Sequence, residues 1–255
     1  LDFLIVCALE SEALPYQGIA DINPRSIRKG GLSRVDITVS GRNGAVIYFP
    51  RMGLVDAAIS ASVAMDRFRP SLVAMSGICA GFSGKVELGQ ILIAEVCYEY
   101  QTGKWSNDGF SQEPYQVPAS NAVLGVIKHV IGDDELLGRL EAGLPKKYQR
   151  PTLRIDPTTA VFTSGSAVIA NHDYMAQIAT HHRKVSGLDM EAYALYRAAS
   201  LSHAKPAFFC AKTVVDLGGE SKNDDLQAYG CFVSAKLVVE VIQRHFHEID
   251  TDAEL

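Results

Sequence analysis

Three carboxylates stand where apolar runs give way to turns or helices: Glu12, Glu191 and Asp216. Glu191 closes the stretch Val185-Ser186-Gly187-Leu188-Asp189-Met190-Glu191, a short strand pattern that turns at once into a helix. Ala194, Leu195, Ala198 and Ala199 mark the buried side of that helix. A carboxylate at a helix N-terminus is favoured by the macrodipole, which accounts for Asp189. Glu191 has apolar neighbours and lies where a strand delivers side chains into a cleft, the place where open α/β sheets bind ligands. It reads as a group that grips a sugar, with Met190 beneath it. Asp216 follows Lys212-Thr213-Val214-Val215. Apolar surroundings on one side favour a protonated carboxyl, which suits a general acid; a helix cap or a loop salt bridge is the competing role. For Glu12 the competing role is a solvated glutamate in a first helical turn. Cys79 sits in a loop of small residues, but a nucleophilic thiol needs a base and no histidine is near it in sequence.

The chain has 255 residues, 47% hydrophobic and 21% charged, which is ordinary for a soluble globular protein. That length suffices for one large domain with a substantial core, and a single domain over 1–255 is expected. The net charge of −5 gives no bulk attraction for nucleic acid or an anionic membrane. No apolar run approaches the roughly 20 residues that span a bilayer. No basic segment followed by an apolar stretch and a cleavage site opens the chain. Leu1 fits either a missing initiator or a piece of something longer. Five cysteines, Cys7, Cys79, Cys97, Cys210 and Cys231, are scattered without a CxxC or a Cys/His cluster. They read as buried thiols in a reducing cytoplasm and argue against a metal site. GxGxxG, the P-loop and the GxSxG elbow are absent, so no nicotinamide or other cofactor is expected.

The elements that must position the acids interleave. Asp2–Cys7, Val35–Val39, Ala45–Phe49, Leu72–Met75, Val86–Tyr98 (kinked at Gly89), Thr159–Phe162 and Ala207–Val215 read as strands. Gly41-Arg42-Asn43-Gly44 supplies hairpin chemistry between two of them. Helices are expected over about 55–68, 121–131, 134–141, 174–181 and 225–245, and Ser76–Phe82 as a compact loop. Gln101–Pro118 is polar and turn-rich and reads as a mobile loop, with an exposed basic connection at Lys146, Lys147 and Arg150. This alternation predicts an α/β protein with a central mixed sheet flanked by helices.

Five motifs in order make the sequence similar to the purine nucleoside phosphorylase and uridine phosphorylase superfamily, nearest in pattern to methylthioadenosine/S-adenosylhomocysteine nucleosidases. They are Ile5-Val6-Cys7-Ala8-Leu9-Glu10-Ser11-Glu12, Ser76-Gly77-Ile78-Cys79-Ala80-Gly81 with Val86–Ile91, Ser164-Gly165-Ser166-Ala167-Val168-Ile169, Asp189-Met190-Glu191-Ala192, and Val214-Val215-Asp216. The resemblance implies a three-layer nucleoside-phosphorylase-like fold and cleavage of the N-glycosidic bond of a purine ribonucleoside. It implies that Asp216 protonates N7, Glu12 activates water, Glu191 accepts bonds from the ribose hydroxyls and Met190 packs on the ribose. Phe162, Val168 and Ile169 are implied to border the base, with Ile78 and Cys79 beside the nucleophile. Phosphorolysis is the alternative to hydrolysis. Ile78 stands where many relatives carry Ser and Glu12 repels phosphate, both favouring water; Arg51 is a candidate for binding phosphate or another anion. Two departures stand out: Val215 where the nucleosidases usually have Ser, and Ser166 where the base motif often has Asp. The extra cations at Lys146, Lys147 and Arg150 would suit AMP or ATP, and a nucleotide-sensing role in a larger regulatory protein is a further reading. A small-molecule purine partner and a homodimer or higher oligomer are expected.

Overall fold

The run Phe3-Leu4-Ile5-Val6-Cys7 is apolar at every position because both of its faces are covered. Phe3, Ile5 and Cys7 join one core, and Leu4 and Val6 join another on the opposite face. A strand buried on both sides reads as a continuous apolar run rather than an alternation. The computed structural model describes residues 1–19, 25–29, 32–113, 115–219 and 226–250. In chain order the elements are β1 (Phe3–Cys7), α1 (Glu10–Ala13), a 3-10 turn (Leu14–Gln17), β2 (Arg25–Lys29), β3 (Leu32–Val39), β4 (Arg42–Tyr48), α2 (Leu54–Phe68), β5 (Leu72–Gly81), β6 (Ile91–Glu99), β7 (Gly103–Ser106), β8 (Gly109–Gln112), β9 (Val117–Pro118), α3 (Asn121–Ile131), α4 (Leu136–Glu141), β10 (Thr158–Ser164), α5 (His172–Thr180), β11 (Val185–Asp189), α6 (Ala192–Leu201), β12 (Ala207–Asp216) and α7 (Gln227–Asp250).

The ten-stranded sheet runs β11-β10-β6-β12-β5-β1-β4-β3-β2, with β9 on β6. It is mixed: β1 lies parallel to β4 and β5, whereas β12 lies antiparallel to β6. Helices α3, α4 and α7 contribute to the core on one face; α2 and α6 contribute to that on the other. Three layers result, as expected from the sequence. The sheet also closes on itself, because β11 pairs with β5 at Gly187–Gly81. A Cβ on Gly187 would fall 2.6 Å from the Phe162 ring, and one on Gly81 2.4 Å from Val86. Glycine at both positions lets the strands approach.

Four sequence expectations are corrected here. Ser76–Phe82 is not a loop: β5 continues through Gly81, because its small residues are paired by β12 on one edge and β11 on the other. Val86–Gln90 is not strand. Gly89, at φ +86°, turns the chain, and its N–H donates to the Val214 carbonyl at 2.7 Å, so β6 starts at Ile91. Gln101–Pro118, expected as a mobile loop, contains the β7–β8 hairpin, whose Trp105 and Phe110 rings lie 5.2 Å apart. The final helix extends to Asp250, beyond the expected end at His245.

Candidate active site

Glu12, Glu191 and Asp216, 25 to 204 residues apart in sequence, line one hollow of about 210 Å³ at the ends of β1, β11 and β12. Ile78, Cys79, Val168, Ile169 and Met190 line it too. Phe162 and Arg51 do not. Phe162 is wholly buried in β10 with its ring against Gly187, and Arg51 is exposed at the bend after β4. Ala8, Leu9, Met52 and Gln227 are walls that sequence reasoning missed.

Glu12 is 1% exposed, so it is not the solvated glutamate of a first helical turn. Its Oε2 accepts the N–H groups of Ala8 and Leu9 at 2.7 and 3.1 Å, and its Oε1 accepts that of Ile78 at 3.0 Å. Burial pushes its pKa up, while Lys212 pulls it down, Glu191 adds to the rise, and the N–H groups of Ile78 and Ala8 oppose it. A glutamate raised in this way is poised to work as a base near neutrality. The carboxylate lies where a Cβ of residue 77 would be, 2.1 Å from Oε1, so only glycine fits there. The Gly77 carbonyl accepts a bond from Ser234 of α7 at 2.7 Å, and Ser234 meets Thr213 of β12 at 2.7 Å. A buried hydroxyl pair thereby ties the Glu12 support to the strand that carries Asp216.

Asp189 and Glu191 flank Met190 but do different work. Asp189 Oδ1 accepts from Ser164 Oγ at 2.6 Å, and Oδ2 accepts from the Ala192 N–H at 2.9 Å and faces Lys212 Nζ at 2.6 Å. It is a helix cap and an ion-pair partner. Glu191 Oε1 accepts from the Gly53 N–H at 3.1 Å and Oε2 from Lys212 Nζ at 3.2 Å. An ionised carboxylate offers about four acceptor positions, so Glu191 keeps acceptor capacity on each oxygen, as two sugar hydroxyls require.

Lys212 is 1% exposed in the middle of β12, and nothing in the sequence analysis singled it out. Burial alone would lower its pKa, but Asp189, Glu191 and Glu12 outweigh that and hold it well above the usual lysine value. The signal was present: a lysine inside Phe208-Phe209-Cys210-Ala211-Lys212-Thr213-Val214, in a run that is buried only if the charge is paired.

Asp216 and Val215 both line the hollow, although neighbours on a regular strand point to opposite faces. The register of β12 against β5 shifts between Val214 and Asp216, and such a bulge re-aims side chains. Asp216 Oδ1 accepts the Gly218 N–H at 2.8 Å. Burial pushes the Cys79 thiol up, which keeps it protonated and unsuited to attack. Lys146, Lys147 and Arg150 are exposed and off this wall; Arg150 bonds Glu141 at 3.2 Å. Among the described lining residues there is no Lys, Arg or His, against four acids.

An acid-lined hollow at the carboxyl ends of strands in a closed mixed sheet defines an α/β protein built to hold a small polar ligand. Residues 2–242 match the phosphorylase superfamily, and the chain belongs to it. Protein y4jS of Sinorhizobium fredii is 33% identical over 205 residues, which are 78% of this chain and 49% of y4jS. The ATP nucleosidase Cap17 of Escherichia coli is 23% identical over 257 residues, covering 94% of this chain and 50% of Cap17. The chain thus spans about half the length of both relatives. The crystal structure of the methylthioadenosine/S-adenosylhomocysteine nucleosidase of Colwellia psychrerythraea in complex with adenine superposes with a TM-score of 0.76 at 17% identity, covering 97% of this chain and 95% of that one. This last likeness is one of fold.

Proposed function

We propose that this chain hydrolyses the N-glycosidic bond of an adenine-type ribonucleoside such as methylthioadenosine or S-adenosylhomocysteine. The observation that carries the reading is the convergence of Glu12, Glu191 and Asp216 on one hollow. Glu191 accepts the 2′- and 3′-hydroxyls, with Met190 under the ribose and Val168 and Ile169 along the base. As the C1′–N9 bond breaks, its electron pair passes to the purine and Asp216 gives a proton to N7. Water adds to C1′ and its proton passes to Glu12. Proton exchange with solvent then resets both acids. Burial pushes the Glu191 pKa up, Lys212 pulls against that rise, and Lys212 takes no part in the bond changes.

Water as nucleophile is supported by the absence of any cation among the described lining residues, since a phosphate dianion would face four acids unaided. The test is adenine release with and without phosphate. Release in phosphate-free buffer is expected, and strict phosphate dependence would overturn hydrolysis in favour of phosphorolysis. The likeness to Cap17 over 94% of this chain favours a second reading, a nucleotide nucleosidase module within a longer regulatory protein; faster turnover of ATP or AMP than of methylthioadenosine would select it.

We also propose a homodimer. Val55, Ile59 and Val63 recur every four residues along α2 and are 67%, 60% and 50% exposed, and Met52, at the wall of the hollow, continues the patch at 47%. A second copy covering this stripe would also cover the mouth of the site. Ile59→Asp should yield a monomer by light scattering. The cysteines among the described residues are all free and buried, which fits a reducing cytoplasm. No helix among the described residues is long and apolar enough to cross a membrane.

A further inference from the structure

Asp189 carries more charge than its place requires. To hold the start of α6 it has only to accept the Ala192 N–H, at 2.9 Å, and a neutral Asn accepts such a bond as Asp does. A second buried carboxylate beside Glu191 also works against the ionisation of both. Its other partners account for the charge. Ser164 Oγ, at the end of β10, accepts the Tyr193 N–H at 3.0 Å, which leaves its own proton for Asp189 Oδ1 at 2.6 Å. That is the distance of a hydroxyl bonded to an ionised acceptor. Lys212 Nζ lies 2.6 Å from Asp189 and 3.2 Å from Glu191, so one ammonium serves two acids. An ammonium is a compact charge on a flexible stem, without the fixed fork of Arg, and can shift between them.

We infer that Ser164 and Asp189 are positioning residues for Glu191: they divide Lys212 between two carboxylates, and the division sets how strongly Glu191 holds the 2′-hydroxyl of a ribose. The inference rests on the ribose role given to Glu191 above. Asp189 has Ser164, the Ala192 N–H and the nearer share of Lys212; Glu191 has the Gly53 N–H, just before α2, and the farther share. Burial pushes the Glu191 pKa up, Lys212 pulls it down, and the Asp189 charge pushes it up again. The other titratable groups around it are Glu12 of α1, Asp216 at the end of β12, and the Cys79 and Cys210 thiols, which burial holds protonated. Without the Ser164 hydroxyl, Asp189 takes more of Lys212, and Glu191 gains its proton at a higher pH. Without the Asp189 charge, Lys212 passes to Glu191, which then stays ionised to a lower pH. A protonated Glu191 is the weaker acceptor.

The test is kcat/KM for adenine release against pH, from whichever of methylthioadenosine and ATP the wild type cleaves faster and from its 2′-deoxy counterpart, in the wild type, Ser164→Ala and Asp189→Asn. The ratio of the two substrates cancels the Glu12 limb, which both share. The wild type should prefer the ribonucleoside by about 10- to 100-fold, the scale of a hydrogen bond to a charged acceptor, and lose that preference as Glu191 protonates at falling pH. Ser164→Ala should move the loss to higher pH and Asp189→Asn to lower pH, each by about half a unit or more, a fraction of the 1–3 units that an adjacent opposite charge commands. Opposite shifts are what a merely structural role would not produce. Ser164→Ala removes one hydroxyl and decides the matter if Asp189→Asn does not fold. An unmoved or lowered midpoint in folded Ser164→Ala, or shifts in the same direction in both variants, overturns the inference and leaves the hydrolase reading standing. A wild type without ribose preference removes the role of Glu191 and the inference with it, while adenine release still supports hydrolysis. No adenine release from any substrate overturns both.

Discussion

Two charge clusters in this molecule use the same pairings in opposite surroundings. Between the middle of β12 and the end of β11, the Lys212 side chain is 1% exposed and lies 2.6 Å from Asp189 and 3.2 Å from Glu191. Elsewhere, Arg139 of α4 reaches Asp133 at 2.7 Å and Glu240 of α7 at 3.0 Å, with its own side chain 28% exposed. The hollow beside Arg139 is the larger, about 690 Å³ against about 210 Å³. Size therefore does not mark the site. Water reaches the Arg139 cluster through Asp133, whose side chain is 43% exposed, and screens it although Glu240 is largely covered, so these pairs contribute less. Around Lys212 water is excluded, so each charge persists only through its partners. That dependence puts the protonation of Glu12 and Glu191 under the control of the fold, which is what acid–base chemistry needs.

Breaking the buried cluster should have the largest effect. Lys212→Met leaves Asp189 and Glu191 facing each other unpaired and should lower unfolding free energy by about 3–5 kcal/mol in denaturant titration; a loss under about 1 kcal/mol would erase the contrast with Arg139. Asp216→Asn should reduce kcat by about 10²–10⁴-fold while adenine binding survives, because only the proton donor is removed. Undiminished turnover would take Asp216 out of the mechanism.

Ser234→Ala tests how far the buried network extends. The Gly77 carbonyl loses its bond, at a cost of about 1–3 kcal/mol, and the Glu12 support loosens, so kcat should fall more than KM rises and the conservative Ser234→Thr should restore part of it. The pH profile sharpens the same contrast. Burial raises the pKa of Glu12 above the ordinary glutamate value. A base works only when ionised, so kcat/KM should fall as pH drops through that raised value, and the acid limb should lie above the usual carboxylate range. A limb at or below that range would mean that Glu12 is not the base. At the small end, Arg139→Met should leave Tm within about 2 °C of wild type.

The alternation of apolar runs and amphipathic helices determined the layer count, most of the elements and the mixed sheet, because these follow from local periodicity and burial. Three acids at strand ends, with the motifs around them, determined which side chains to bring together. Tertiary structure alone decided that β5 runs on through Gly81 and closes the sheet against Gly187, since small residues carry no strand signal until neighbours pair them. Only it showed that Val215 bulges so that Asp216 turns inward, and that Phe162 is buried against Gly187 and is not part of the hollow's lining. Lys212 is the sharpest case. Its place in an apolar run was visible, but the ion pairs that permit it join β12 to β11 and α6, 21 to 23 residues away. The free energy of a buried charge is set by what surrounds it in space, and sequence order does not encode that distance.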